Sequence, residues 1–172
     1  QIKSGHHPLL PPKTQVNFFG YSIGALLTEI LLMANPKNML KESKAFLFCG
    51  GSSIDRMRGV SRFILDSEAF HAMRHYFLHL DEYLGRDNQL KELLKKLDPG
   101  LYFRSMIDSL GLGDYRNSRM KALSKQLKIV TLKKDRVISP QAVKKTFEGL
   151  GSKLDRLITV MDFPYPYTHE DV

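Results

Sequence analysis

One stretch near the start of the chain, residues 14–35, limits what this protein can fold into more than any other. Residues 16–19 form a short β-rich run, a Gly-Tyr-Ser-Ile-Gly turn interrupts it, and apolar residues then recur at helical spacing. A serine on such a sharp strand-to-helix turn has strained backbone angles, so the residues two before and two after it must be small. Gly20 and Gly24 meet this requirement around Ser22. The pattern predicts a turn that lifts the Ser22 hydroxyl above a sheet.

Three further strands are predicted after this turn, and together they indicate an α/β fold. Residues 44–49 are a continuous apolar run, typical of a strand that is buried on both faces of a parallel sheet. Residues 127–132 predict a third strand and residues 154–162 a fourth, and a helix that begins with proline is predicted between them at 140–147. We expect mostly parallel strands flanked by helices, in one domain that spans residues 1–172.

A long block between the second and third predicted strands, residues 57–126, has helical periodicity and contains no predicted strand. Its helices are predicted at about 60–84, 88–97, 102–110 and 115–126, with glycine and proline between them. An insertion of this kind lies over the edge of a sheet, where lids are found. We therefore expect the block to form a helical cap.

The charge and the cysteine content of the chain bear on its partners and its location. The 26 basic and 18 acidic residues give a net charge of +8, but the excess is spread along helical segments and forms no arginine-rich tract. We therefore expect solvated lysine faces and no nucleic-acid partner. The single cysteine, Cys49, is expected to be a small core residue and fits a reducing compartment, so a cytoplasmic location is expected. No apolar run reaches the ~18 residues of a membrane span.

Three histidines of the predicted cap, His71, His75 and His79, are spaced to lie on one face of a helix. A pair of histidines four residues apart on a helix can chelate a metal ion. A complete metal site needs a third ligand and ordered partners around the ligands, and the nearby sequence offers only Asp81 and Glu82. We expect these histidines to form a half-exposed lid face, and we predict no metal site.

Three features of the chain, taken in their order, resemble the α/β-hydrolase family. They are the Gly-Tyr-Ser-Ile-Gly turn, a strand followed by KKDRVISP at 133–140, and a strand followed by a loop that carries His169. The nucleophile, the acid and the histidine of that family's catalytic triad occur in this order along the chain. The resemblance implies that Ser22, Asp135 and His169 form the triad. The turn and the sequence FLFCGGSS look similar to an uncharacterised bacterial branch of the family.

The resemblance implies a role for each of these residues. Ser22 would attack a carbonyl carbon, His169 would take and return the proton, and Asp135 would hold the imidazole in the required tautomer. The backbone N–H of Ile23, the residue after the nucleophile, would be one donor to the oxyanion. Asp55, which follows the second predicted strand, is the alternative acid. No cofactor is implied.

The chain departs from the family's pattern before the predicted turn. In α/β-hydrolases several strands, and a loop that supplies the second oxyanion donor, precede the nucleophile strand. Only about fifteen residues precede it here, and an isolated set of four strands would leave an apolar edge unpaired. We expect this chain to be the C-terminal part of the domain, with the N-terminal half on the same or on a separate polypeptide.

These observations predict a serine hydrolase that cleaves an ester, a thioester or an amide of a small-molecule acyl substrate. The alternative is a non-catalytic protein of the same fold that binds a partner through its basic helical cap. A third hypothesis, nucleic-acid binding, depends on six basic residues of the predicted cap: Lys91, Lys95, Lys96, Arg116, Arg119 and Lys121.

Overall fold

The computed structural model describes residues 8–11, 14–35, 38–59, 100–165 and 168–169, together with isolated positions at 67, 68, 71, 72, 75, 79, 82 and 85. Most of the two predicted helices that precede residue 100 therefore lies outside the described residues. The third and fourth predicted helices of the cap lie within them.

A four-stranded parallel sheet forms the centre of the described structure. Its strands are β1 (Phe18–Tyr21), β2 (Ala45–Phe48), β3 (Leu127–Leu132) and β4 (Ile158–Met161), and they lie in the order β1-β2-β3-β4. Each strand pairs in parallel with the next one. The prediction of an α/β fold with parallel strands flanked by helices is confirmed.

Helices connect the strands and cover one face of the sheet. The helix after β1 packs directly on that strand, and two later helices pack against it in turn. The described helices are α1 (Ile23–Ala34), α2 (Leu101–Arg104), α3 (Gly113–Leu123), α4 (Pro140–Thr146) and α5 (Leu154–Leu157), and short 3-10 helices lie at Ile54–Arg56, Asp108–Leu110 and Glu148–Lys153.

The two faces of β1 and β2 have different surroundings, because side chains alternate along a strand. Leu47 faces the core, where it is fully buried in one cluster with Leu32 of α1 and Met120 of α3. On the opposite face Phe19 is 68% exposed, and its ring stacks on that of Phe46 with 5.6 Å between the ring centroids. Helices therefore cover the core-facing side, and aromatic side chains form the other side of these two strands.

The last predicted strand is shorter than the sequence pattern indicated. Residues 154–162 were expected to form it, but α5 occupies the first four positions and β4 begins at Ile158. Asp155 and Arg156 are neighbours and both are exposed, whereas Leu157 and Ile158 are neighbours and both are buried. One helical turn accommodates such pairs, and strict alternation in a strand does not.

The described part of the predicted cap, residues 100–126, contributes to the core. Met106, Ile107 and Met120 are fully buried there, and α3 packs against α1 before the chain enters β3. The continuous helix predicted over 102–110 is interrupted, because three consecutive residues at 105–107 are buried and a helix face cannot bury all three. The rest of the predicted cap lies outside the described residues, apart from the isolated positions.

No helix in the described part of the chain is long and apolar enough to cross a membrane. The cytoplasmic location remains a prediction.

Candidate active site

Ser22 is the single residue between the end of β1 and the start of α1. Its φ of 53° and ψ of −119° lie outside the regions that a non-glycine residue usually adopts, at a cost of about 1–3 kcal/mol. Its backbone N–H donates to the carbonyl oxygen of Phe48 at 3.1 Å, which ties the turn to the neighbouring strand. The strained turn predicted around this serine is therefore present.

The two glycines of the turn differ in how closely other atoms approach them. A Cβ atom at Gly20 would lie 2.7 Å from the Cα of Ala25, so this position must be glycine. At Gly24 a Cβ would meet no described atom within 4 Å, so the described residues give no steric reason for glycine there. The second tight position is Gly50, after β2, where a Cβ would lie 2.1 Å from the Cβ of Ala25.

Ser22, His169 and Asp135, distant along the chain, form one chain of hydrogen bonds. The Oγ of Ser22 lies 2.7 Å from the Nε2 of His169. The Nδ1 of His169 lies 2.9 Å from the Oδ2 of Asp135. His169 is 8% exposed and Asp135 is 3% exposed, so the histidine–carboxylate contact is shielded from water. The structure thus brings together the three residues that the sequence singled out.

Asp135 is held by the loop in which it lies. Its Oδ1 accepts hydrogen bonds from the backbone N–H groups of Val137 at 2.9 Å and Ile138 at 2.8 Å. An aspartate that binds the backbone two and three residues further on stabilises a turn of its own chain. One carboxylate oxygen is therefore fixed by the loop after β3, and the other is left to face the imidazole of His169.

His169 also contacts Tyr21, the residue that precedes the nucleophile. The Tyr21 hydroxyl donates to the carbonyl oxygen of His169 at 2.5 Å. The two rings stack with centroids 5.6 Å apart and planes inclined by 23°. Gly20 faces α1, so Tyr21 points to the opposite side of the sheet, and His169 lies on that side.

Cys49 is a residue of the site that the sequence did not reveal. It is fully buried, as expected of a core residue, but its Sγ also lies within 4.8 Å of a carboxylate oxygen of Asp135. Burial raises the pKa of the Cys49 thiol to about 12, with further contributions from the charge of Asp135 and a hydrogen bond to it. The thiol is therefore protonated at neutral pH and is a donor to the same carboxylate that faces His169.

Among the described residues, one group of three side chains could hold a metal ion, and it includes Asp135 and His169. Cys49, Asp135 and His169 each offer one ligand atom, and these atoms lie within 4.8 Å of one another. Thiolate, imidazole and carboxylate are a donor set that zinc accepts. The high pKa of the thiol and the direct contact between His169 and Asp135 favour a hydrogen-bonded group at this place.

The backbone N–H of Ile23, the predicted donor to the oxyanion, lies at the start of α1. Ile23 is the first residue of α1, and the N–H groups in the first turn of a helix have no acceptor within the helix. They carry the positive end of the helix dipole, which favours a negative charge at this point. Ile23 follows Ser22 directly, and its role as an oxyanion donor stays a prediction.

Asp55, the alternative acid, lies in another cluster. Its carboxylate accepts hydrogen bonds from the backbone N–H groups of Asp108 at 3.0 Å and Ser109 at 3.2 Å. Asp55 therefore caps the 3-10 helix at Asp108–Leu110. Asp135, and not Asp55, contacts the imidazole.

A second, partly buried cluster of charges surrounds Asp108. Its carboxylate contacts Arg116 and Arg56, each at 2.6 Å, and accepts a hydrogen bond from the Ser53 hydroxyl at 2.9 Å. Burial alone would raise the pKa of Asp108, but the hydrogen bond and charge of Arg116, with Ser53 and Arg56, hold it below its usual value. This cluster ties the loop after β2 to α3, and we assign it to the stability of the fold.

Several basic and histidine residues of the predicted cap have structural contacts. Arg116 is buried in the cluster around Asp108, and Arg119 donates to the carbonyl oxygen of Met33 at 2.6 Å. Two of the six residues proposed for nucleic-acid binding therefore have contacts within the fold. Lys91, Lys95 and Lys96 lie outside the described residues.

The rings of His75 and His79, two of the three cap histidines, stack at 4.3 Å between centroids. Among the described residues neither histidine belongs to a group of three potential metal ligands.

Glu29 is a buried acid on the helix that follows the turn. It is fully buried on α1, and neither carboxylate oxygen has a hydrogen-bond partner within the described structure. Burial raises the pKa of Glu29 to about 8, and the charge of Arg116 opposes this only in part. No role was predicted for this residue. At neutral pH its side chain is largely the neutral acid.

Comparisons with known proteins give a family and no function. One protein family, described as a family of unknown function (DUF6051), matches residues 1–172. No curated protein and no solved structure matches the chain.

Proposed function

This chain belongs to that family of unknown function, and from the geometry of its site we propose that it is an α/β-hydrolase-type serine hydrolase. The observation that carries the proposal is the continuous contact from the Oγ of Ser22 through the imidazole of His169 to the carboxylate of Asp135. A nucleophile within hydrogen-bond reach of a base that a third group orients is the signature of covalent catalysis. The order of the three residues along the chain and the strained turn at Ser22 agree with the pattern of α/β-hydrolases.

The proposed reaction proceeds in two steps through an acyl-enzyme. The Oγ of Ser22 attacks the carbonyl carbon of an ester, thioester or amide while the Nε2 of His169 takes the hydroxyl proton. The tetrahedral intermediate expels the alcohol, thiol or amine, which receives that proton from His169. A water molecule then attacks the acyl carbon, again with His169 as base, and releases the acid and free Ser22. No cofactor takes part in these steps.

Asp135 and Ile23 each stabilise a charge that develops in this reaction. The imidazolium that forms at His169 faces the Oδ2 of Asp135, whose other oxygen is already bound to the backbone. Because this contact is buried, the attraction between the two charges is stronger than it would be in water. The N–H of Ile23 is the proposed donor to the oxyanion, and such a donor contributes about 3–4 kcal/mol to catalysis in a well-studied protease.

The surface beside the turn supports the proposal that more of the domain packs there. Ile23, Leu27 and Leu31 form an apolar stripe on α1, and the first two are 62% and 58% exposed. This stripe borders β1, which lies at the edge of the sheet as far as the described residues show. Exposed apolar side chains along a free strand edge are a surface that natural proteins cover. We propose that the N-terminal half of the domain, with the second oxyanion donor, covers it.

The proposal is tested by labelling with a fluorophosphonate probe, read by intact-mass spectrometry. We expect one adduct on Ser22, no adduct after Ser22→Ala, and at least about 100-fold slower labelling after His169→Ala. Ser118→Ala is the matched control, because Ser118 is an exposed serine on α3 and should not affect the labelling. The measurement is made on the protein from its natural source as well as on the 172-residue chain.

The comparison of the two samples separates the competing explanations. Labelling of the source protein alone would mean that the active site needs the N-terminal half. Absence of labelling in both folded samples would refute the hydrolase and favour the non-catalytic binding protein. In that case Ser22→Ala would leave binding to a partner unchanged.

A further inference from the structure

Tyr21 contacts both the backbone and the side chain of His169. Its hydroxyl donates to the His169 carbonyl oxygen at 2.5 Å, and its ring stacks on the imidazole at 5.6 Å between centroids. Tyr21 is also bonded covalently to Ser22, whose Oγ lies 2.7 Å from the same imidazole. Ser22, Tyr21 and His169 thus form a closed ring of contacts in which only the link between Ser22 and Tyr21 is covalent.

The other side of Tyr21 is supported by the sheet. Its ring lies 6.3 Å from that of Phe48, the last residue of β2, at an angle of 40°. The position of Tyr21 is therefore set by the end of β1 and by its neighbour on β2, two strands that pair in parallel. A side chain that is fixed on two paired strands is a firm support for a residue in a loop.

His169 depends on such support more than the other two residues do. Ser22 lies on the turn between β1 and α1, and Asp135 is fixed by two backbone N–H groups of its own loop. For His169 the described side-chain contacts come from other segments of the chain, at Tyr21, Ser22 and Asp135. Its contacts to Tyr21 and Asp135 approach from two directions, at the carbonyl oxygen and at Nδ1.

We propose that Tyr21 is a positioning residue that holds His169 at hydrogen-bonding distance from Ser22, and this inference rests on the proposed hydrolase function. The hydroxyl of Tyr21 fixes the backbone of His169, and its ring limits the rotation of the imidazole. Reaction rates fall steeply when a catalytic group is misplaced by about 1 Å, by about 100-fold. The described contacts of Tyr21 are to His169 and to Phe48, so in this proposal it acts through His169.

The test compares Tyr21→Phe, which removes the hydroxyl and keeps the ring, with Tyr21→Leu, which removes both. We expect about 10-fold slower labelling of Ser22 by the fluorophosphonate for Tyr21→Phe and about 100-fold for Tyr21→Leu. The control is Tyr102→Phe, which removes a hydroxyl from a half-buried tyrosine on α2 and should label like the wild type. Thermal unfolding of each variant separates positioning from loss of fold, because a purely structural role would lower labelling only in proportion to the unfolded fraction.

A second readout does not depend on catalysis. The Nδ1–H proton of His169, hydrogen-bonded to buried Asp135, should give a downfield proton NMR signal that His169→Gln removes. We expect Tyr21→Phe to broaden or remove this signal. If the wild type is not labelled, the hydrolase proposal fails and the NMR signal alone decides the role of Tyr21.

The overturning result is a Tyr21→Phe variant that labels at the wild-type rate and keeps the Nδ1–H signal of His169. Phe48→Leu keeps the Tyr21 hydroxyl and removes only the ring behind it, so it serves if Tyr21→Phe fails to fold. We expect a smaller decrease in labelling for it, about threefold. An unchanged rate and an unchanged signal in that variant would equally refute the role of Tyr21.

Discussion

Replacement of Glu29 by glutamine should change how the stability of this protein depends on pH. The carboxyl of Glu29 is fully buried on α1, and burial raises its pKa from 4.5 to about 8. Between these two values the folded protein holds a proton that the unfolded chain has released. The free energy of unfolding of the wild type therefore falls as the pH rises from about 4.5 to about 8.

The size of this effect follows from the pKa of Glu29. Each pH unit in the interval costs about 1.4 kcal/mol, so the wild type should lose about 3 kcal/mol between pH 5 and pH 7.5 through this one group. Glutamine has nearly the shape of the protonated acid and does not ionise. Glu29→Gln should thus match the wild type near pH 5 and exceed its stability by about 3 kcal/mol near pH 7.5.

Urea unfolding at the two pH values measures this difference. With a slope of about 2 kcal/mol/M, the midpoint of Glu29→Gln should be about 1.5 M higher than that of the wild type near pH 7.5. Glu148→Gln is the matched control, because Glu148 is exposed and its replacement should leave the pH dependence unchanged. Parallel pH profiles for wild type and Glu29→Gln would refute the reasoning, and would mean that Arg116 keeps Glu29 ionised in the fold.

Two further predictions concern the groups around His169. Asp135→Asn should slow the labelling of Ser22 on the order of 10³-fold or more, whereas Asp55→Asn should leave it within about twofold, since only Asp135 contacts the imidazole. Equal effects of the two replacements on the labelling rate would contradict this assignment of the acid. Cys49→Ala removes the thiol donor to Asp135 and should slow labelling about fivefold, with Cys49→Ser close to wild type. Equal rates for Cys49→Ala and the wild type would mean that the thiol only fills space.

The elements predicted most accurately are those whose sequence signal is local and does not depend on contacts with distant residues. β3 was predicted at 127–132 and occupies Leu127–Leu132, a short segment rich in β-branched and apolar residues in which every side chain except that of Lys128 is buried. The turn at Ser22 was predicted for a similar reason, since its glycine and its flanking strand and helix are all local. Residues 154–157 were less predictable, because a short apolar and charged segment fits a helical turn as well as a strand.

The candidate site was predicted in part, and the missing part consists of contacts between distant segments. The order of Ser22, Asp135 and His169 suggested a triad, but only the folded chain brings the imidazole to both partners. Nothing in the sequence around Cys49 shows that β2 ends beside the loop of Asp135. Glu29 carried a local signal, because it is three residues from both Leu26 and Leu32 and so shares the buried face of α1.

The close approach around Ala25 has a consequence for how sequences of this family can diverge. A Cβ at Gly20 would lie 2.7 Å from the Cα of Ala25, and a Cβ at Gly50 would lie 2.1 Å from its Cβ. Substitutions at positions 25 and 50 are therefore coupled: a larger residue at 50 becomes acceptable only in a lineage that already has glycine at 25. Gly24, around which the described residues leave free space, does not take part in this coupling.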